Sequence, residues 1–334
     1  MPTTAKKIGL LMAHARHPHA RRSAGRGIAA GLLGFALLAA VGTSGQATAA
    51  ETPQSPTPVP TLVYTASVGA DAADVYYPES GSRLPVVLLQ QGANVDKSHY
   101  EGYARTVAAF GFVVVVPNHL RSVFGVPGLW ASADQGLTTV AWSKAENTRA
   151  GSPLAGRLDP TVLALLGHSF GGAAGVAIVQ GQCAPPFCFG LPPGAVKPAE
   201  LKAAAFFGTN NAPPGGGPVA PVNNTVPVAL IQGSADGIAA PAAAQATYEA
   251  LKGTPKALVT VAGVNHYGVT GVQNPPGAVP DPSAQTTDQV EGIRTSARWS
   301  ALFLKAALGD AFARSYVRYW GDASDPAVTV QQAY

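Results

Sequence analysis

Charge is scarce in this chain: only 12% of its 334 residues are Asp, Glu, Lys or Arg. Apolar β-branched runs recur throughout, so low charge combined with 38 Gly and 29 Pro indicates a compact protein with many loops and excludes a disordered one. Cysteine is nearly absent. Cys183 and Cys188 are the only two, separated by Ala-Pro-Pro-Phe with no histidine nearby, which leaves too few ligands for zinc. In an oxidising compartment the pair reads as a small local disulfide, worth less than a long-range bridge because the loop it closes is short. No apolar run is long enough for a stable membrane span; the longest, Ile28 to Val41, falls short of the roughly 20 residues a spanning helix needs. There is no internal repeat.

Acidic residues are missing before Glu51, whereas Lys6, Lys7, Arg16, Arg21, Arg22 and Arg26 all precede residue 30. A basic stretch, the apolar run and then Ala47-Thr48-Ala49 have the order of a secretory signal peptide with a small-residue cleavage site. Arg21-Arg22 also allows a twin-arginine export route, although Ser23-Ala24-Gly25 matches that signal weakly. Cleavage near Ala49 removes six of the 22 Lys and Arg and leaves 16 against 18 Asp and Glu, a formal charge of −2. The overall +4 therefore gives no reason to expect a nucleic-acid partner. Residues 1–49 are read as the signal peptide, 50–61 as a Pro/Thr-rich tether, and 62–334 as a single domain large enough for a sizeable core.

Along that domain, strands and helices alternate. Leu62 to Tyr77 alternates loosely and predicts one or two antiparallel edge strands. Leu84 to Leu89, Phe112 to Val116, Val162 to Leu166, Ala203 to Phe207, Val226 to Gln232 and Ala257 to Val261 are apolar runs of the kind a strand buried on both faces shows. Helical spacing marks Tyr100 to Phe110, with Tyr103, Val107 and Phe110 on one stripe, and also Asp134 to Lys144, Pro241 to Lys252 and Gln289 to Leu308. Pro117 to Trp130 and Thr209 to Asn224 read as loops. The alternation predicts an α/β fold with a doubly wound, mostly parallel sheet.

The most informative stretch is Gly167-His168-Ser169-Phe170-Gly171-Gly172, the one G-x-S-x-G in the chain, between the Val162 strand and a run of small residues that begins a helix. Strand, sharp turn and helix make a nucleophile elbow, in which the serine takes a strained backbone and its hydroxyl stands clear of the sheet. Gly167 and Gly171 are expected where side chains would collide, and Gly172 where the helix packs close to the sheet. Asp236 follows the Val226 strand and His266 the Ala257 strand. Ser, Asp, His is the triad order of α/β-hydrolases.

The competing residues are placed less well. Outside the signal segment the histidines are His99, His119, His168 and His266, and only His266 follows the last core strand. Asp159 precedes the elbow strand and reads as a turn or cap residue. For the oxyanion the expected donors are the backbone N–H of Phe170 and that of Ala93, after Gly92. Asn94 either adds a side-chain amide or makes an Asx turn.

Leu-Pro-Val-Val-Leu-Leu, Phe-Gly-Phe-Val-Val-Val-Val-Pro, Gly-His-Ser-Phe-Gly-Gly, Gly-Ser-Ala-Asp-Gly and Asn-His-Tyr-Gly together span roughly residues 62 to 308. On these motifs the chain resembles the α/β-hydrolase group that includes chlorophyllases, dienelactone hydrolases, platelet-activating-factor acetylhydrolases and cutinase-like polyester hydrolases. The resemblance implies an α/β-hydrolase fold and a secreted serine carboxylic-ester hydrolase with Ser169, Asp236 and His266 as its triad. It implies no metal or organic cofactor, and a small-molecule, lipid or polymer ester as substrate. Polyester hydrolases of the group tend to clamp an aromatic acyl group between an aromatic after the oxyanion-loop glycine and a tryptophan after the next strand. Here those places hold Ala93 and Phe207-Gly208-Thr209-Asn210. Trp130 either lines the cleft from its loop or packs. The alternative function is a non-catalytic binding or cell-surface protein on a hydrolase scaffold.

Overall fold

A computed structural model describes residues 59–334 apart from 189–190, 193–194 and 214–216. The signal-peptide reading, and the tether up to residue 58, lie outside the described residues.

Strands β1 (Thr61–Val68) and β2 (Asp71–Pro78) pair antiparallel, as their loose alternation predicts, and β1 is a sheet edge. β3 (Leu84–Gln90) leads through helix α1 (Glu101–Ala108) to β4 (Val113–Asn118), a parallel crossover. Pro117 to Trp130 is not the loop expected: Leu120–Val123 (β5) and Val126–Leu129 (β6) form a separate antiparallel hairpin, turning at Phe124-Gly125. Each arm has only four residues and too little apolar alternation to stand out from a loop. Helix α2 (Gln135–Glu146), strand β7 (Leu158–His168) and helix α3 (Phe170–Gln180) follow. Then come β8 (Leu201–Phe207), β9 (Val228–Gly233), α4 (Pro241–Ala250), β10 (Lys256–Val261) and the long α5 (Gln289–Ala307). A last strand, β11 (Val328–Ala333), pairs antiparallel with β10 and was not foreseen. Its six residues are mostly half-exposed or exposed, so no apolar run marks it.

The sheet order is β1-β2-β4-β3-β7-β8-β9-β10-β11, parallel from β4 to β10 and antiparallel at both flanks. Both faces are covered, which is why the central strands carry continuous apolar runs such as Val86 to Leu89 and Val162 to Leu166. In β3, Val87 and Leu89 pack under α1 and α5, while Val86 and Leu88 face α2 and α3. The period-two alternation of a strand divides each run between two cores. Among the described residues no helix is long and apolar enough to cross a membrane.

Parallel strands all end on the same edge of the sheet. The loops after β3, β7, β8, β9 and β10 therefore meet there, and those loops carry Ala93, Ser169, Gly208, Asp236 and His266.

Candidate active site

Ser169 joins β7 to α3 with φ 53° and ψ −121°, a conformation that L-residues avoid and that surrounding contacts must hold. Its N–H donates to the Phe207 carbonyl of β8 at 2.9 Å. Its own carbonyl accepts the Thr209 hydroxyl at 2.8 Å and the Ala173 N–H at 3.1 Å. The glycines around it have separate steric duties. A Cβ at Gly167 would lie 2.7 Å from the Gly172 backbone, and one at Gly171 within 2.5 Å of the Gln91 carbonyl oxygen. The close helix-to-sheet approach expected at Gly172 is present, since its backbone is what a Gly167 Cβ would strike, and it recurs at Gly175, where a Cβ would lie 2.3 Å from the Phe206 ring. A Cβ at Gly172 would also lie 2.7 Å from the Thr209 side chain at the cleft wall.

The Asp236 carboxylate and His266 Nδ1 lie 2.9 Å apart, both side chains almost fully buried. The carboxylate is fixed in turn by the N–H groups of Ile238 (3.0 Å) and Ala239 (2.7 Å) and by the Gln232 amide (3.2 Å). A carboxylate so held keeps the Nδ1 proton in place and leaves Nε2 to accept a proton. Gly208, with φ +55°, passes directly over this pair: a Cβ there would lie 3.0 Å from Asp236 Oδ2 and 3.1 Å from His266 Nδ1.

These groups line one cleft of about 320 Å³, with Gly92, Ala93, Phe170, Thr209, Ile238, Tyr267 and Val279 among its other walls. Ser169, His266, Ala93 and Phe170 thus face a common space, with Asp236 behind His266. As the first residue of α3, Phe170 has an N–H with no intrahelical acceptor. Asn94 does not join the cleft wall. Its φ is +57° and it grips β6, its N–H donating to the Leu129 carbonyl (2.8 Å) while its side-chain oxygen accepts the Leu129 N–H (3.1 Å). Asp159 accepts from Thr161 at the start of β7, at the opposite end of the sheet. His119 pairs with Asp71 at 2.8 Å.

Trp130 packs edge-on against Phe170, ring centroids 5.1 Å apart, with Phe187 on Phe170 at the same separation. Cys183 and Cys188 are disulfide-bonded, and their loop presents Phe187. The bridge and Trp130 together support the residue after the serine, and Trp130 is not itself a cleft wall.

Asp281 was missed. It is buried between the two triad loops, its carboxylate accepting the N–H groups of His266 (2.8 Å), Gly237 (3.2 Å) and Ser283 (2.7 Å). Within Pro280-Asp281-Pro282 it looks like any turn residue. Local pattern marks His168 and Tyr100 only as elbow and helix residues, yet both are buried, His168 bordering the cleft and Tyr100 hydrogen-bonded to His168. Among the described residues no group of His, Cys, Asp or Glu is arranged to hold a metal ion.

Residues 40–184 match the PET hydrolase-like family. The matched span contains the elbow and ends before Asp236 and His266, so the second half of the site stands on its geometry. No curated protein matches the chain.

Proposed function

We propose that this α/β-hydrolase, an ester hydrolase by its family match, is an exported serine esterase that works through an acyl-enzyme and acts on hydrophobic, mainly aliphatic esters. One observation carries the catalytic reading. A strained serine at a helix start shares a cleft with a histidine whose far nitrogen meets a buried, fully hydrogen-bonded carboxylate.

In this reading Ser169 Oγ attacks the ester carbonyl while His266 Nε2 takes its proton, and Asp236 stabilises the imidazolium that results. The carbonyl oxygen becomes an oxyanion and takes the N–H groups of Phe170 and Ala93. Collapse expels the alcohol, which leaves with the proton from His266. Water then repeats the sequence on the acyl-enzyme. Side chains and backbone supply every group the steps need.

The cleft wall supports an aliphatic acyl group. Ala93 and Thr209-Asn210 stand where an aromatic clamp would need two rings, and Ile238, Ala239 and Val279 add aliphatic surface. Outside the cleft, Leu120 and Phe124 of the β5–β6 hairpin are 72% and 77% exposed, and Val279 at the cleft mouth 71%. Apolar groups left in water, one of them at the cleft mouth, suit an insoluble ester. The basic, apolar and small-residue order of residues 1–49 supports export.

The test is hydrolysis of p-nitrophenyl esters from acetate to palmitate, then of polycaprolactone and poly(ethylene terephthalate) particles, with Ser169→Ala alongside. The reading requires activity that the variant loses, and faster release from the aliphatic polymer. Full activity in Ser169→Ala would end the acyl-enzyme reading, and faster release from the aromatic polymer would end the substrate assignment. N-terminal sequencing of protein from the culture medium tests export, with a start near Ala50 expected.

A further inference from the structure

We propose that Tyr100 and His168 form a buried positioning relay that holds the oxyanion loop in register with the general base. The relay rests on the reading of Ala93 as an oxyanion donor and His266 as the base, and adds two residues that no cleft chemistry requires.

The chain of contacts runs through three loops. The Gly92 N–H donates to the Tyr100 hydroxyl at 2.8 Å. That hydroxyl lies 2.9 Å from His168 Nδ1, and His168 Nε2 lies 2.9 Å from the carbonyl oxygen of His266. A carbonyl oxygen only accepts, so Nε2 must carry the proton. A neutral imidazole has one N–H, which leaves Nδ1 as an acceptor. The Tyr100 O–H therefore donates to Nδ1, and its lone pair takes the Gly92 N–H. Only this arrangement pairs every polar atom in the chain. The other tautomer sets the Nε2 lone pair against the His266 carbonyl, and an imidazolium sets an N–H against a hydroxyl whose own hydrogen then has nowhere to go.

The surroundings keep this state. Tyr100, His168 and His266 are at most 2% exposed. Besides Tyr100, the titratable groups facing the His168 ring are His266, with ring centroids 4.8 Å apart, and Tyr267, at 5.9 Å; Phe207 closes another side. Burial, reinforced by neighbouring His266, pushes His168 well below its ordinary 6.5 and holds it neutral. Burial also pushes the Tyr100 hydroxyl up, so it keeps its proton. Gly92 is fitted to the relay as well: a Cβ there would lie 2.8 Å from His168 Nδ1 and 3.4 Å from the Tyr100 oxygen.

The consequence is mechanical. Gly92 precedes Ala93, and His168 precedes Ser169, so one rigid chain passes next to the oxyanion donor and the nucleophile and ends on the backbone of the base. No proton moves along it. Its work is to hold donors within the fraction of an ångström that transition-state stabilisation needs, where small misplacements cost large factors in rate.

The experiment compares Tyr100→Phe with Tyr103→Phe on p-nitrophenyl butyrate, and records ¹⁵N-histidine NMR spectra of the wild type. Tyr103 is also buried and donates to the Ser300 hydroxyl at 2.6 Å, outside the cleft lining, so it controls for losing a buried hydrogen bond. The expected result is a ten- to hundredfold fall in kcat for Tyr100→Phe with KM within twofold, and no change in kcat for Tyr103→Phe. His168→Gln, which keeps a donor and an acceptor, should retain at least ten times the kcat of His168→Leu. In the spectra His168 should be neutral, with the proton on Nε2, at pH 8 and still at pH 6.5, where an ordinary imidazole is half protonated. An indifferent Tyr100→Phe in an active enzyme, or a wild-type His168 protonated on Nδ1, overturns the relay alone. A wild type inert to every ester overturns the esterase reading and with it the relay's role in turnover, even where the spectra show the locked tautomer. If Tyr100→Phe does not fold, the glutamine-to-leucine comparison and the wild-type spectra decide.

Discussion

Asp281 holds His266 by the backbone and not by the ring. Its carboxylate accepts the His266 N–H at 2.8 Å while the same group takes the Gly237 N–H, one residue past Asp236. The loops that bring base and carboxylate together are thus tied by a third acidic residue outside the triad. The His266 peptide is gripped on both sides, by Asp281 at its N–H and by His168 at its carbonyl.

Replacement of this clamp should cost both stability and rate. Asp281→Asn keeps the size but turns one acceptor into a donor facing backbone N–H groups. Charge-assisted bonds of this kind are worth about 1.5–3 kcal/mol. Urea unfolding should show a loss of about 2 kcal/mol, and ester kinetics a kcat lowered roughly tenfold with KM little changed. Unchanged values for both would mean the clamp is dispensable.

Asp236→Asn should leave the fold in place and remove the rate. The Ile238 and Ala239 N–H groups still find the side-chain oxygen, but the amide nitrogen then faces His266 Nδ1 and favours the wrong tautomer. A fall in kcat on the order of 10⁴ is expected, by analogy with the triad carboxylate of serine proteases. Circular dichroism matching the wild type would confine the effect to the site.

Gly208 and Gly111 make an informative pair. Both have positive φ, +55° and +93°, so alanine at either is strained by roughly 1–2 kcal/mol. A Cβ at Gly111 meets nothing within 4 Å, whereas at Gly208 it crowds Asp236 and His266. Gly111→Ala should lower the unfolding midpoint with activity intact, and Gly208→Ala should lower both. Equal activities in the two variants would remove Gly208 from the site.

Stability should fall on the acid side in two stages. His168 is held below 6.5 in the fold, so the unfolded chain takes up its proton first; this contribution is complete above pH 6.5 and declines below it. Glu146 is lowered from 4.5 to about 2, first by its hydrogen bond to Arg149, then by Ser152 and Tyr64. Its contribution is present above pH 4.5 and is lost as pH falls toward 2. Urea midpoints measured against pH should flatten just below pH 6.5 in His168→Gln, and below pH 4.5 in Glu146→Gln. Parallel curves for wild type and either variant would exclude that residue as the source.

The sequence by itself determined the parallel core and the nucleophile. Continuous apolar runs such as Leu84 to Leu89 require burial on both faces, and Gly-His-Ser-Phe-Gly between strand and helix admits one backbone path. β1 begins at Thr61, one residue before the expected start of the domain at residue 62. Asp236 and His266 were legible as loop residues after core strands, because parallel strands bring such loops to one edge. Turn chemistry and strand periodicity are local, and a sequence displays them directly.

Only the tertiary structure decided the rest. β11 exists because β10 offers it an edge, and the β5–β6 hairpin because Asn94 and Leu129 bond across 35 residues. The Tyr100–His168 and His168–His266 contacts join residues 68 and 98 apart, and Asp281 reaches His266 across 15. No local pattern encodes such pairings. They follow from sheet order and register, which set which loops touch, and from burial, which then leaves each polar atom one partner.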